Sequence, residues 1–347
     1  MQTEKFVNYR DMRKGGRDMM RFDGCCFAKM LVLVVCGLAL VGSSAAGAAD
    51  FPQKGKAVQM LVGFAAGGTT DVGARLMASG MEKELGTSVV VVNKPGASSQ
   101  IAYTTLAQAK PDGYTIGNTN FPSAVVSYLD PARKATYTRK SFDLLALHVI
   151  DPGLFAVKAD SPFKTLKDVV DAAKANPKKV RISTTGIQSD EAFAILQFQK
   201  MTGTQFAMVH FAQGVASAMT AFLGGKIDVL CANVGDLLSQ FKSGEVRILG
   251  IMDDEPSLFY PGVKTFEQQG YKLYTSSSRG FAAPAGTPKV IVDALSGAMK
   301  RVTASDDHKK RMADMGLTLR YMDPAQYNAY WSEYEKTLIE LLPLTKE

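Results

Sequence analysis

The stretch Gly63-Phe64-Ala65-Ala66-Gly67-Gly68-Thr69-Thr70-Asp71 joins an apolar, β-branched run to a segment with helical spacing. Glycines there let backbone N–H groups come close to a ligand. Thr69, Thr70 and Asp71 are helix-capping residue types. Free N–H groups at the start of a helix, on the positive end of its dipole, favour an anion such as a carboxylate. An ordinary glycine-rich turn before a capped helix accounts for the stretch equally well. The spacing is not that of a nucleotide phosphate cradle, because no lysine follows the glycines. It is not GxGxxG either.

A second stretch repeats the logic. Ser183-Thr184-Thr185-Gly186-Ile187-Gln188-Ser189-Asp190 follows a predicted strand and opens a predicted helix. Two small-polar, helix-starting loops, one in each half of the chain, could face each other across a cleft and supply the donors a carboxylate needs.

Other chemistry lacks its residues. His148, His210 and His308 show no metal-ligand spacing and read as structural. There is no GxSxG elbow, Cys231 has no identifiable base, and no carboxylate pair reads as catalytic. No catalytic residue, metal or cofactor is therefore expected. Asp228, in a predicted buried strand, is either a ligand contact or a paired core charge. Arg279, just before Gly280-Phe281, either pairs with a second ligand carboxylate or is a hinge or surface charge. Tyr327, Tyr330, Trp331 and Tyr334 form the aromatic face of a terminal helix, as core or docking surface.

The elements that must position these loops alternate. Val58–Phe64 and Ser88–Val92 read as buried strands around a helix over 70–85 that ends at Gly86. A helix over 101–109 and a strand over 114–117 follow. A second block begins near Asp151-Pro152. It has strands over 154–157, 180–183, 206–210, 227–232 and 246–252, and helices over 165–175, 189–201 and 216–223. Helices over 288–304, 308–315 and 324–342 close the chain. Repeated strand–helix–strand units predict an α/β fold with largely parallel sheets. With 347 residues the chain predicts two domains. No low-complexity linker separates the blocks, so short strands or hinges should cross between them.

The N-terminus carries Arg10, Arg13, Lys14, Arg17, Arg21 and Lys29, then the apolar run Leu31–Val41 and the small residues Ser43 to Ala49. This is a secretory signal cleaved after Ala48 or Ala49, with an apolar run too short for a permanent anchor. Met20 would open a signal of more usual length. Cleavage removes Cys25, Cys26 and Cys36, leaving Cys231 without a disulfide partner. It also removes seven Lys/Arg and four Asp/Glu, lowering the net charge from +7 to +4. That mild excess, with no clustered basic stripe, speaks against nucleic acid.

Taken in order, the motifs resemble the Bug-type extracytoplasmic receptors of tripartite tricarboxylate transporters. The resemblance rests on Phe64-Ala65-Ala66-Gly67-Gly68-Thr69-Thr70-Asp71, Val92-Asn93-Lys94-Pro95-Gly96-Ala97 and Pro111-Asp112-Gly113-Tyr114-Thr115. It continues through Gly224-Gly225-Lys226-Ile227-Asp228, the run Pro261 to Gly270, and Ala283-Pro284-Ala285-Gly286-Thr287-Pro288, covering nearly all of residues 51–347. It implies a two-domain Venus-flytrap fold with a ligand cleft, one domain formed by residues 50–152 plus 275–347 and the other by 153–274. It implies a non-enzymatic periplasmic receptor, a monomer, that binds a small carboxylate and hands it to membrane permease subunits. A sensory receptor and a periplasmic α/β enzyme are the rival readings. Carried over by position, the ligand contacts would be Phe64, Ala66, Gly67, Gly68, Thr69, Thr70 and Asp71, with Thr184, Thr185, Gly186 and Ser189 across the cleft. There are departures. Ser189-Asp190-Glu191 stands where the family often has a serine–histidine pair. His210-Phe211-Ala212-Gln213 replaces P-Y-x-G. An acidic pair beside a carboxylate would cost affinity unless it faced solvent.

Overall fold

The computed structural model describes residues 51–346. The expected signal, its cleavage site, Met20 and the first three cysteines lie outside the described residues.

The N-terminal part is the expected strand–helix alternation. Strand β1 (Val58–Val62) pairs in parallel with β2 (Val89–Asn93) and β3 (Thr115–Phe121). Helix α1 (Thr69–Leu85) returns the chain between β1 and β2. It ends where Gly86 adopts φ 65, a left-handed cap that a side-chain-free residue takes at no steric cost. Helix α2 (Gln100–Ala107) links β2 to β3, and α3 (Ser123–Leu129) follows β3.

Strand β4 (Phe142–Lys158) is the spine of the molecule. Its first part pairs antiparallel with β9 (Ser276–Pro284), and β10 (Leu319–Met322) lies along its other edge. Past Gly153 the same strand pairs with β7 (Leu230–Asn233) and β8 (Val246–Ile251). The second domain adds α4 (Leu166–Ala175), the parallel pair β5 (Arg181–Thr184) and β6 (Ala207–His210), α5 (Asp190–Thr202) and α6 (Val215–Leu223). Helices α8 (Lys289–Ala304), α9 (Asp306–Asp314) and α10 (Pro324–Leu341) return to the first domain, with α7 (Leu238–Lys242) in the second. The fold is thus a two-domain α/β architecture. The strand–helix–strand units supply the parallel pairs, and β4 and β9 supply the antiparallel ones.

Side-chain alternation along β4 feeds both faces of the second sheet. Leu154 and Ala156 join Phe222, Leu230 and Tyr260 on one side; Phe155 and Val157 join Phe198 and Phe266 on the other. The first domain likewise packs α1 and α8 around Met60, Met77 and Leu295, and α10 around Phe121, Tyr327, Tyr330 and Trp331. The terminal aromatic face is therefore core. Phe121 meets Tyr327, Tyr330, Trp331 and Tyr334 edge-on. Phe193, on α5 of the second domain, is buried in this same first-domain cluster. Burying such a ring is worth about 1.5–3 kcal/mol, so α5 is docked on both domains.

Candidate ligand cleft

The loop after β1 is held from behind by Asp71, which is 1% exposed. Its Oδ2 accepts from the Gly67 N–H and from Arg75 Nε, both at 2.9 Å, and its Oδ1 accepts from Asn93 Nδ2 at 2.8 Å. Asn93 Nδ2 also donates to the Phe64 carbonyl. Burial pushes the Asp71 carboxyl up, but these donors and the Arg75 charge outweigh it and hold it below its ordinary range. Asp71 is thus the internal brace of the glycine loop. Gly63 is there because a Cβ would lie 2.3 Å from Ser99 Cβ, and Ser99 Oγ donates to the Gly63 carbonyl.

Beside it, the turn after β2 runs through Gly96, Ala97, Ser98 and Ser99 with φ of 132, 47, 53 and 72. Three successive non-glycine residues in the left-handed region store strain, and such strain gathers at ligand sites. On the second domain, Ser189 caps α5 by accepting from the Ala192 N–H, and Thr184 Oγ1 lies 2.6 Å from His210 Nδ1.

The two loops face each other across a cleft of about 1000 Å³. Phe64, Thr70, Thr185, Gly186 and Ser189 line it, as do Pro95, Ser98, Ser99, Asn120, Ser123, Arg133 and Gln188. Ala66, Gly67, Gly68 and Thr69 belong to the first loop but not to the wall. Asp71 and Thr184 stand behind the wall as braces.

Neither Asp228 nor Arg279 lines the cleft, and two of the Arg279 guanidinium nitrogens, Nε and Nη1, are buried without a hydrogen-bond partner. Asp228 takes a two-toothed ion pair from Arg181. Burial raises its carboxyl, but the Arg181 bonds dominate and keep it low. Arg279 lies beside Asn120 on β9 with its guanidinium 3.4 Å from the Asp151 carboxylate.

His148 and His308 meet in the first-domain core, Nε2 to Nε2 at 2.8 Å, while His210 reaches the cleft wall. Among the described residues no three His, Cys, Asp or Glu converge as a metal site.

The second-domain wall carries two buried carboxyls. Asp190 and Glu191, the first two residues of α5, are 7% and 4% exposed and both line the cleft. Burial and the neighbouring Asp190 push Glu191 up to about 8, while burial raises Asp190 to about 6. Burial also raises Asp151 to about 7, against the pull of Arg279. The acidic pair therefore does not face solvent.

At the cleft mouth Arg133, of the first domain, donates through Nε and Nη2 to Gln188 Oε1 of the second, at 2.9 and 2.7 Å. Gln188 Nε2 donates back to Asp130 at 2.7 Å. Sequence reasoning had no signal for Arg133 and Asn120: both are isolated polar residues brought to the cleft by tertiary structure.

The chain is similar to proteins of one known family. The TctC family, described as tripartite tricarboxylate transporter family receptor, matches residues 73–342. Protein BugT of Bordetella pertussis is 30% identical over 272 residues, covering 76% of this chain and 81% of the relative. A TctC solute-binding protein from Polaromonas superposes with a TM-score of 0.74 at 24% identity, covering 84% of this chain and 99% of that one. MatC from Rhodopseudomonas palustris, solved with bound malate, superposes at 0.69 and 25% identity, covering 82% and 98%. No helix of the described residues is long and apolar enough to cross a membrane. Motif order, two-domain fold and family match converge: the chain belongs to the tripartite tricarboxylate transporter receptor family.

Proposed function

We propose that this protein is a non-enzymatic periplasmic receptor that binds a small carboxylate between its domains and presents it, as a monomer, to the permease subunits of a tripartite transporter. The observation that carries the reading is the pair of helix-starting loops facing each other across one cleft. The family match and the malate held by MatC support it. The first-domain loop supplies anion donors: backbone N–H groups at the positive end of α1 and the Thr70 hydroxyl, which accepts from Asn120 Nδ2 and keeps its own proton to give. Phe64, Thr70, Thr185, Gly186 and Ser189 are the proposed contacts. Gly67, Gly68, Thr69, Asp71 and Thr184 shape the loops that carry them.

The domains are proposed as residues 50–152 plus 275–347, and 153–274. Support comes from β4 passing Pro152–Gly153 between the sheets, and from the Gly153 N–H bonding to the Thr275 carbonyl where the chain returns. Ligand contacts made only in the closed state would shift the population toward it, which is all a receptor requires. A signal cleaved after Ala48 or Ala49 is the proposed route to the periplasm.

A thermal-shift screen of residues 50–347 against small carboxylic acids tests the reading. A ligand specific for the folded state, at a hundredfold excess over its Kd, adds about 2.7 kcal/mol of stability. A raised midpoint with one class of acid is expected. Unchanged midpoints across the panel contradict it.

A further inference from the structure

The second-domain side of the cleft is built for the opposite charge from the first. Its hydroxyls are already committed within the wall. Thr185 Oγ1 donates to Glu191 Oε2 at 2.8 Å, Ser189 Oγ accepts from the Ala192 N–H, and Thr184 is engaged by the Gly186 carbonyl and His210. The positive end of α5, which the symmetric reading reserves for a ligand anion, is instead occupied by the chain's own Asp190 and Glu191. The cation at the mouth, Arg133, is held on Gln188. Next to these committed hydroxyls, the buried carboxyls of Glu191 and Asp190 face the cleft, with the Gln213 amide and His210 farther along the same wall.

An independent observation on the facing wall points the same way. Asn120 is 5% exposed and lines the cleft, and its Oδ1 has no hydrogen-bond partner while its Nδ2 is taken by Thr70. A buried acceptor left unmatched is destabilising, and a donor on the ligand removes that cost. The carboxylates do not gather as a metal site among the described residues, so the complementary charge belongs to an organic group. A dicarboxylate spanning the cleft would set one of its ends against Glu191 and Asp190.

We propose that the ligand is a small carboxylic acid that also bears a protonated amine, its carboxylate on the first-domain loop and its ammonium against the wall formed by Glu191 and Asp190. This rests on the carboxylate-receptor reading and narrows it to one chemical class. Burial of two adjacent carboxyls without a cation raises their affinity for protons, and an ammonium placed against them restores the charged form.

The test is calorimetric titration of residues 50–347 with matched probes: glutarate against glutamate, succinate against aspartate, butyrate against 4-aminobutyrate, with 2-hydroxyglutarate and butylamine alongside. At least one amine-bearing acid should bind tenfold or more tightly than its unaminated partner and than 2-hydroxyglutarate. In Glu191→Gln that ratio should fall toward one, through weaker binding of the amino acid and tighter binding of the plain acid. Equal or stronger binding of the plain acids, or of 2-hydroxyglutarate, overturns the ammonium site and leaves the carboxylate receptor standing. Butylamine binding as well as 4-aminobutyrate overturns the carboxylate reading itself. Silence from every probe counts against both. The wild-type ratios decide the matter even if the variant fails to fold.

Discussion

Arg133 and Gln188 join the two domains at the mouth of the cleft, the guanidinium giving two N–H groups to a single amide oxygen. A bond that spans the two domains adds stability to the arrangement in which they meet, and so would bias the same equilibrium that a ligand would bias.

Arg133→Ala should therefore weaken ligand binding without touching the carboxylate contacts. Losing hydrogen bonds from a charged donor costs about 1.5–3 kcal/mol, roughly a tenfold or larger rise in Kd. Calorimetry would read the affinity and X-ray scattering the larger radius of gyration of the unliganded variant. A variant as compact and as tight-binding as the wild type would remove the bridge from the closing mechanism.

Asp71 carries a prediction about the loop. Asp71→Asn keeps the shape but gives up the charge that holds the Gly67 N–H, Arg75 and Asn93. It should lower stability by about 1–3 kcal/mol and weaken binding through a disordered loop. Because its folded-state carboxyl sits below its ordinary value, the wild-type contribution is complete above that value and fades as pH falls through the lower one. The variant should lack that part of the acid sensitivity in a pH series of urea melts.

The acidic wall predicts the reverse slope at higher pH. Glu191 is raised from 4.5 to about 8, so the folded state holds a proton that the unfolded state releases. Its contribution is present below the unfolded value and is lost as pH climbs through the window from about 4.5 to about 8. The raised Asp151, Asp190 and Asp236 act in the same direction. The unliganded protein should melt at a lower temperature at pH 8.5 than at pH 6, and Glu191→Gln should flatten that fall. A flat wild-type profile would contradict the wall's electrostatics.

The left-handed turn gives a stability test away from any charge. Ser98 is exposed with φ 53 and makes no side-chain bond needed by the loop. Ser98→Gly should relieve about 1 kcal/mol of backbone strain, partly offset by the greater freedom of glycine in the unfolded chain. A thermal midpoint well below the wild type would mean the side chain does something the geometry does not reveal.

Much of the fold was legible from the chain. The helix ending at Gly86 and the strands around it came from apolar spacing and a capping glycine, and these are local signals. Strand β4 was legible only over 154–157, because the sequence pattern places the start of a second block at Asp151-Pro152. In the structure Pro152 pairs opposite Ser276 at the crossing between sheets, where a missing N–H is tolerated. Strand β9, which runs Ser276–Pro284, had no strand assignment from the sequence.

The cleft divides in the same way. The two loops could be found because glycine and hydroxyl residues stood between a strand and a helix. Asn120, Arg133 and the burial of Glu191 could not, since each depends on which element folds over it. The residue types around Asp71 were legible as a motif, yet its role as a brace facing away from the cleft emerges only from its three bonds.

The most direct measurement is a crystal structure of residues 50–347 with the acid that raises the melting midpoint most. A carboxylate is expected in the cleft, within hydrogen-bond distance of backbone N–H groups of the 64–70 loop and of the Thr70 hydroxyl, with the two domains closed over it. An acid bound outside the cleft, or bound there with that loop turned away from it, would contradict a carboxylate receptor built on this loop.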